Sequence, residues 1–80
     1  MSRMKFVTFN GYAGDQIIVF PSEIQHSSFA ESITQLSFGT MKPISGGFIE
    51  DGECVGKSIS LRMGSRGDLD TALLKSLLNN

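Results

Sequence analysis

Apolar positions gather most densely at Ile17-Ile18-Val19-Phe20, where three of the four side chains are β-branched. Such a run suits a pleated strand covered on both faces. Pro21 closes it, since proline lacks the N–H of a ladder and disfavours helical backbone at the residue before it. Ser22 to His26 read as a turn. Ser28 and Glu31 then fit a capping box, and Phe29, Ile33 and Leu36, with Ala30 beside them, recur at helical spacing. The pattern predicts a helix of about three turns that fades at Phe38-Gly39, with Gly39 as the C′ residue.

The remaining elements are arranged around this stretch. Met4 to Phe9 is strand-like in residue type but alternates loosely, and the cluster Asn10 to Asp15 predicts a long loop joining it to the next strand as a hairpin. Thr40 to Pro43 reads as a connector and Ile44 to Glu50 as a third strand. Gly46-Gly47 inside that strand implies a bulge or a close neighbour. Asp51-Gly52 is the strongest hairpin signal in the chain. Glu53 to Leu61 reads as the returning strand, with the small residues Cys54, Gly56, Ser58 and Ser60 on one face. After a loop from Arg62 to Gly67, Ser65 and Asp68 resemble a second capping pair. The last helix spans Asp68 to Leu78, with Leu69, Ala72, Leu73, Ser76 and Leu77 expected on its core face and Leu74 and Leu78 widening it.

The order is therefore ββαββα. It predicts a single α+β domain over residues 1–80, a two-layer sandwich of a mostly antiparallel four-stranded sheet with both helices on one face. A domain of this size buries about 60–65% of its unfolded surface, so association is an expected source of added stability.

Composition narrows the function classes. Seven basic residues against eight acidic ones give no electrostatic case for nucleic acid or anionic membranes. No apolar run approaches the roughly 20 residues of a membrane span. The opening residues through Phe6 lack the apolar centre of a signal peptide. One cysteine excludes an internal disulfide, and Cys54 and His26 stand alone as metal ligands, so neither metal nor cofactor is expected. The cytoplasm of a bacterial host cell is the expected location.

The chain resembles a group of small uncharacterised proteins of bacteriophages and prophages. The resemblance rests on Phe20-Pro21, His26 and Ala30, then Ser45-Gly46-Gly47-Phe48-Ile49, the stretch Cys54 to Leu61, Ser65-Arg66 and Asp70. It covers about two-thirds of the chain by this reading. It implies a viral or prophage origin and a fold, and carries no activity and no functional residues.

Candidate chemistry is sparse. Gly56-Lys57-Ser58 hints at a phosphate loop, but Asp51 stands where the first glycine belongs and a strand pattern follows instead of a helix. Arg66-Gly67-Asp68 matches an adhesion tripeptide, yet reads more simply as a helix start with Asp68 complementing the dipole. His26 and Cys54 would form a base–nucleophile pair only within hydrogen-bond reach of each other, and a lone cysteine more often packs as a small apolar residue. Lys57, Arg62 and Arg66 are the one basic grouping. The bland account of it is a solvated loop.

The expected function is accordingly non-enzymatic: a phage or prophage accessory protein acting as an interaction module, homodimeric or bound to a host or phage protein. Leu74, Leu78, Lys57, Arg62 and Arg66 are the candidate interaction residues. The alternative is a nucleic-acid-binding accessory protein. It would use phenylalanines on an open sheet face to stack bases, with Lys57, Arg62 and Arg66 as a basic rim.

Overall fold

The structure, a computed structural model, describes residues 3–79. Met1, Ser2 and Asn80 lie outside them. The elements are β1 (Met4–Gly11), β2 (Gly14–Phe20), α1 (His26–Leu36), β3 (Lys42–Glu50), β4 (Glu53–Val55), β5 (Lys57–Ser58), β6 (Met63–Gly64) and α2 (Asp68–Leu78). The first four strands form an antiparallel sheet in the order β2-β1-β3-β4, and β5 and β6 pair as a separate ribbon. The chain is therefore α+β, with the four-stranded antiparallel sheet and the two helices read from its pattern.

The layering differs from the expectation. Successive side chains of a strand point to opposite faces, and paired residues share a face. Phe6 pairs with Val19 and Gly47, whereas Val7 pairs with Ile18 and Gly46. Phe6, Ile17 and Cys54 pack with Leu74 of α2, while Val7, Phe9 and Phe20 pack with Ala30 of α1. The two helices thus lie on opposite faces of the sheet, in three layers rather than two. This is why β1 is buried without interruption from Phe6 to Phe9.

Local chemistry sets the connections. Asp51 and Gly52 have φ of 53° and 77°, the positive pair that a tight two-residue hairpin turn requires. Between β1 and β2 the ladder runs to Gly11 and Gly14, so the loop expected from Asn10 to Asp15 shrinks to Tyr12 and Ala13. β3 starts at Lys42 rather than Ile44, and its register with β1 shifts between Thr8 and Phe9, which leaves Ile44 as the extra residue. The strand expected from Glu53 to Leu61 breaks at Gly56, whose φ of 72° turns the chain out of the sheet. Ser58 then stabilises the bend, its Oγ accepting a 3.1 Å bond from the Leu61 N–H.

Gly47 is required by close approach. A Cβ there would collide with the Val55 carbonyl oxygen and lie 3.1 Å from a Phe6 ring carbon. Gly46 meets only ordinary contacts, the nearest being a Leu61 methyl at 3.4 Å.

Both helix starts depart from the predicted caps. α1 begins at His26, two residues before the expected serine cap, and its N-cap Gln25 makes no side-chain bond. One orphan donor is satisfied from elsewhere, because Ser60 Oγ accepts from the Ser27 N–H at 3.2 Å. The end of α1 is a Schellman turn: Gly39 N–H donates to Thr34 O at 2.8 Å and Phe38 N–H to Gln35 O at 3.0 Å. The C′ residue is thus Phe38, with φ of 54°, and Gly39 is one position later. In α2 the cap is Gly67, and Asp70 rather than Asp68 reaches back to the preceding backbone.

α2 is also rotated relative to the expected face. Asp70, Thr71 and Leu74 are buried, while Leu69, Ala72, Ser76 and Leu77 are exposed and Leu73 is half-buried. The pattern misleads because two polar residues are buried with partners. Thr71 Oγ1 accepts from the Cys54 N–H at 2.9 Å, and Asp70 joins the network described next.

Candidate functional site

Asp70 is the most heavily bonded side chain among the described residues, and it is fully buried. Its Oδ1 accepts from Thr8 Oγ1 at 2.8 Å, Arg66 Nη2 at 2.7 Å and Arg66 Nε at 3.0 Å. Its Oδ2 accepts from the Arg66 N–H at 2.8 Å. Arg66 Nη1 continues to Asp15 Oδ2 at 3.1 Å, and Asn10 Nδ2 donates to Asp15 Oδ1 at 2.9 Å. The network ties the central strand β1 and the turn end of β2 to the start of α2.

Burial by itself would raise the Asp70 carboxyl. The Arg66 side chain and backbone, with Ser45 and Thr8, outweigh it and hold the group below the usual carboxylate range. Ser45 lies close enough to contribute, yet its buried Oγ meets no partner with hydrogen-bond geometry. Asp15 is lowered as well, by Asn10 first and then by Arg66. Two ionised carboxylates sharing one guanidinium make a structural clamp rather than an acid–base pair.

His26 and Cys54, which would act as base and nucleophile only within reach of each other, are separated. Cys54 is buried on the α2 face of the sheet, and burial, with the field of Asp70, pushes its thiol up to about 11. His26 lies on the α1 face, edge-on to Phe20 and Phe48 with ring centroids at 5.5 Å to each. Its Nε2–H donates to Gly47 O at 2.8 Å, and desolvation holds its pKa below the ordinary histidine value. With the sheet between them, the two do not form a catalytic pair. Among the described residues no group of three His, Cys, Asp or Glu could hold a metal ion.

The basic rim that the nucleic-acid alternative needs is not assembled. Arg66 is committed to Asp15 and Asp70, while Lys57 and Arg62 are exposed at the base and tip of the β5–β6 ribbon. The open sheet face is absent too, because a helix covers each side. Phe6, Phe9 and Phe20 are buried, and Phe29 stacks on Phe20 with centroids 4.1 Å apart. Leu74, expected on the interaction surface, is in the core; Leu78 is exposed at the end of α2.

One flank of α2 is left uncovered and apolar. Leu69, Leu73 and Leu77 recur every fourth residue along one flank of α2, with Leu69 64% and Leu77 52% exposed. Leu73 and Leu77 share a groove of about 380 Å³ with Gln16, Ile17 and Ile18 of β2. Among the described residues β2 is an outer strand of the sheet and pairs only with β1. A leucine stripe beside an unpaired strand edge is the candidate site. The sequence shows the leucines, but the edge position of β2 depends on strand order, which no local signal reports.

Comparison with protein-family models, curated proteins and solved structures returns no match to the chain. Among the described residues no helix is long and apolar enough to cross a membrane.

Proposed function

We propose that this chain is a non-enzymatic protein-interaction module that works as a homodimer in the bacterial cytoplasm, in keeping with its resemblance to phage and prophage accessory proteins. The observation that carries the reading is the apolar flank of α2, on which Leu69 and Leu77 are exposed and Leu77 and the half-buried Leu73 line a groove against β2. Apolar side chains in a contiguous row on a small domain are costly to leave in water and mark an interaction surface. The inert surroundings of Cys54 and the commitment of Asp70 and Arg66 to structural bonds support a binding role over a catalytic one.

The test is native mass spectrometry and sedimentation of the purified chain over a concentration series, beside a Leu69→Lys/Leu77→Lys variant. A dimer in the parent and a folded monomer in the variant support the reading. A parent that stays monomeric at high concentration overturns the homodimer. Parallel capture from lysate with and without nuclease separates a protein partner from nucleic acid, and nuclease-sensitive recovery would favour the nucleic-acid alternative.

A further inference from the structure

We infer that His26 is an acid-sensitive latch: in mild acid its protonation frees α1 from the sheet while α2 stays docked. The device is local to one layer of the fold and does not depend on the homodimer reading.

α1 is the weakly held helix. Its buried residues are His26 and Ala30. Its N-cap Gln25 makes no side-chain bond, and its first turn holds no acidic residue. Among the described residues, the bond from His26 Nε2–H to Gly47 O is the one hydrogen bond between α1 and a strand of the four-stranded sheet. The other tie at this end, Ser60 Oγ on the Ser27 N–H, is exposed. α2 is held differently, by Asp70 on Thr8 and Arg66, by Thr71 on the Cys54 N–H and by the buried Leu74.

The surroundings of the His26 ring oppose a charge. Phe20 of β2 and Phe48 of β3 flank it, and it lies in the first turn of α1, where the helix dipole is positive. On the neighbouring segments, Arg3 lies over the Phe48 ring and pairs with Glu50 of β3, while Glu23 of the preceding turn, Glu31 of α1 and Lys57 and Arg62 of the ribbon are exposed. Asp15, the one charged residue of β2, sits at the other end of that strand. Lys5 of β1 is the group whose charge bears on the ring, and it disfavours a second positive charge. A further proton, on Nδ1, therefore makes the ring a cation in an apolar setting.

In the open helix the ring meets water and has the ordinary histidine pKa of about 6.5. Each pH unit below that value favours opening by up to about tenfold, until the enclosed ring itself accepts the proton. The Asp70 carboxyl is held below the usual carboxylate range, so its bonds persist into stronger acid. Between the two titrations α1 opens and α2 does not. Opening uncovers Phe20, on which Phe29 of α1 stacks with centroids 4.1 Å apart.

The experiment measures amide protection factors of the full chain by NMR hydrogen exchange from about pH 7 to about 4.5, beside His26→Gln. Glutamine keeps a donor for Gly47 O and does not titrate. In the parent, α1 protection is expected to fall by up to about tenfold per pH unit below about 6.5, with α2 protection unchanged. In His26→Gln, α1 is expected to keep its protection. Equal loss in both helices, no loss in α1, or the same α1 loss in His26→Gln overturns the latch. Should His26→Gln fail to fold, the imidazole resonances of the parent decide. Ring titration coincident with α1 opening supports the latch, and titration at a different pH overturns it.

Discussion

Thr8 and Asp70 are 62 residues apart in sequence, and their side chains meet at 2.8 Å in the core. This contact fixes α2 against the central strand and decides which face of the helix turns inward.

The first prediction follows from that bond. In Asp70→Asn the buried anion is removed while Arg66 and Thr8 keep their positions. Breaking a buried ion pair costs about 3–5 kcal/mol when both partners are enclosed. Arg66 is a quarter exposed, so about 2–3 kcal/mol is expected. Thr8→Val keeps the shape of the side chain and loses one bond to a charged group, for about 1–2 kcal/mol. Ser45→Ala, which removes a hydroxyl without a partner, should change stability by less than either. Urea melts of the three variants check the order. A Ser45→Ala loss larger than that of Thr8→Val contradicts the network as described.

The second concerns pH. His26 is held neutral by burial, so its folded pKa lies below that of the unfolded chain. As pH falls below about 6.5 the unfolded state takes up a proton that the folded state refuses. Stability is therefore full above that value and declines toward the folded pKa, by at most about 1.4 kcal/mol per pH unit for one proton. Asp70 acts with the same sign on the acid side: its contribution is present above about pH 4 and is lost as pH falls through its depressed folded value. Denaturant midpoints of the parent should fall between pH 7 and 5, and those of His26→Gln should stay nearly flat there. Equal slopes would show that His26 is not the titrating group.

The third separates two adjacent glycines. Gly47→Ala drives a methyl into the Val55 carbonyl, and the Gly56 carbonyl and the buried Phe6 ring beside it leave little room to relax. A loss of about 2–3 kcal/mol is expected, at the upper end for overpacking. Gly46→Ala meets a flexible leucine methyl and should cost under about 1 kcal/mol. Thermal melts of the pair decide it, and comparable losses would mean that the Val55 carbonyl does not crowd Gly47.

Some of this was legible in residue order. Asp51-Gly52 announces its turn because only positive φ suits both positions, and Pro21 marks the end of β2. The unbroken run Ile17 to Phe20 reads as covered on both faces, and three layers supply that cover where the expected two layers do not. The inward face of α2 was not legible. Asp70 and Thr71 look like surface residues until Thr8, Arg66 and the Cys54 N–H, distant in sequence, are placed beside them. The cap of α1 was hidden likewise, because Ser60 supplies it from another loop.

The fourth prediction concerns the end of α1. Phe38 holds the left-handed C′ position at φ of 54°, where side chains other than glycine or asparagine are strained, and 95% of it is exposed. Core packing therefore does not compensate the strain. Phe38→Gly relieves it at a site where glycine already prefers the required backbone, and Phe38→Asn relieves it in part. Because the unfolded glycine chain is also more flexible, the net gain is about 0.5–1 kcal/mol for glycine. Thermal denaturation of Phe38→Gly and Phe38→Asn checks the sign. A rise of several degrees is expected, since about 1 kcal/mol moves a domain of this size by roughly 4–8 °C. A fall in either variant would show that Phe38 makes a stabilising contact in solution, with a second molecule as the available source.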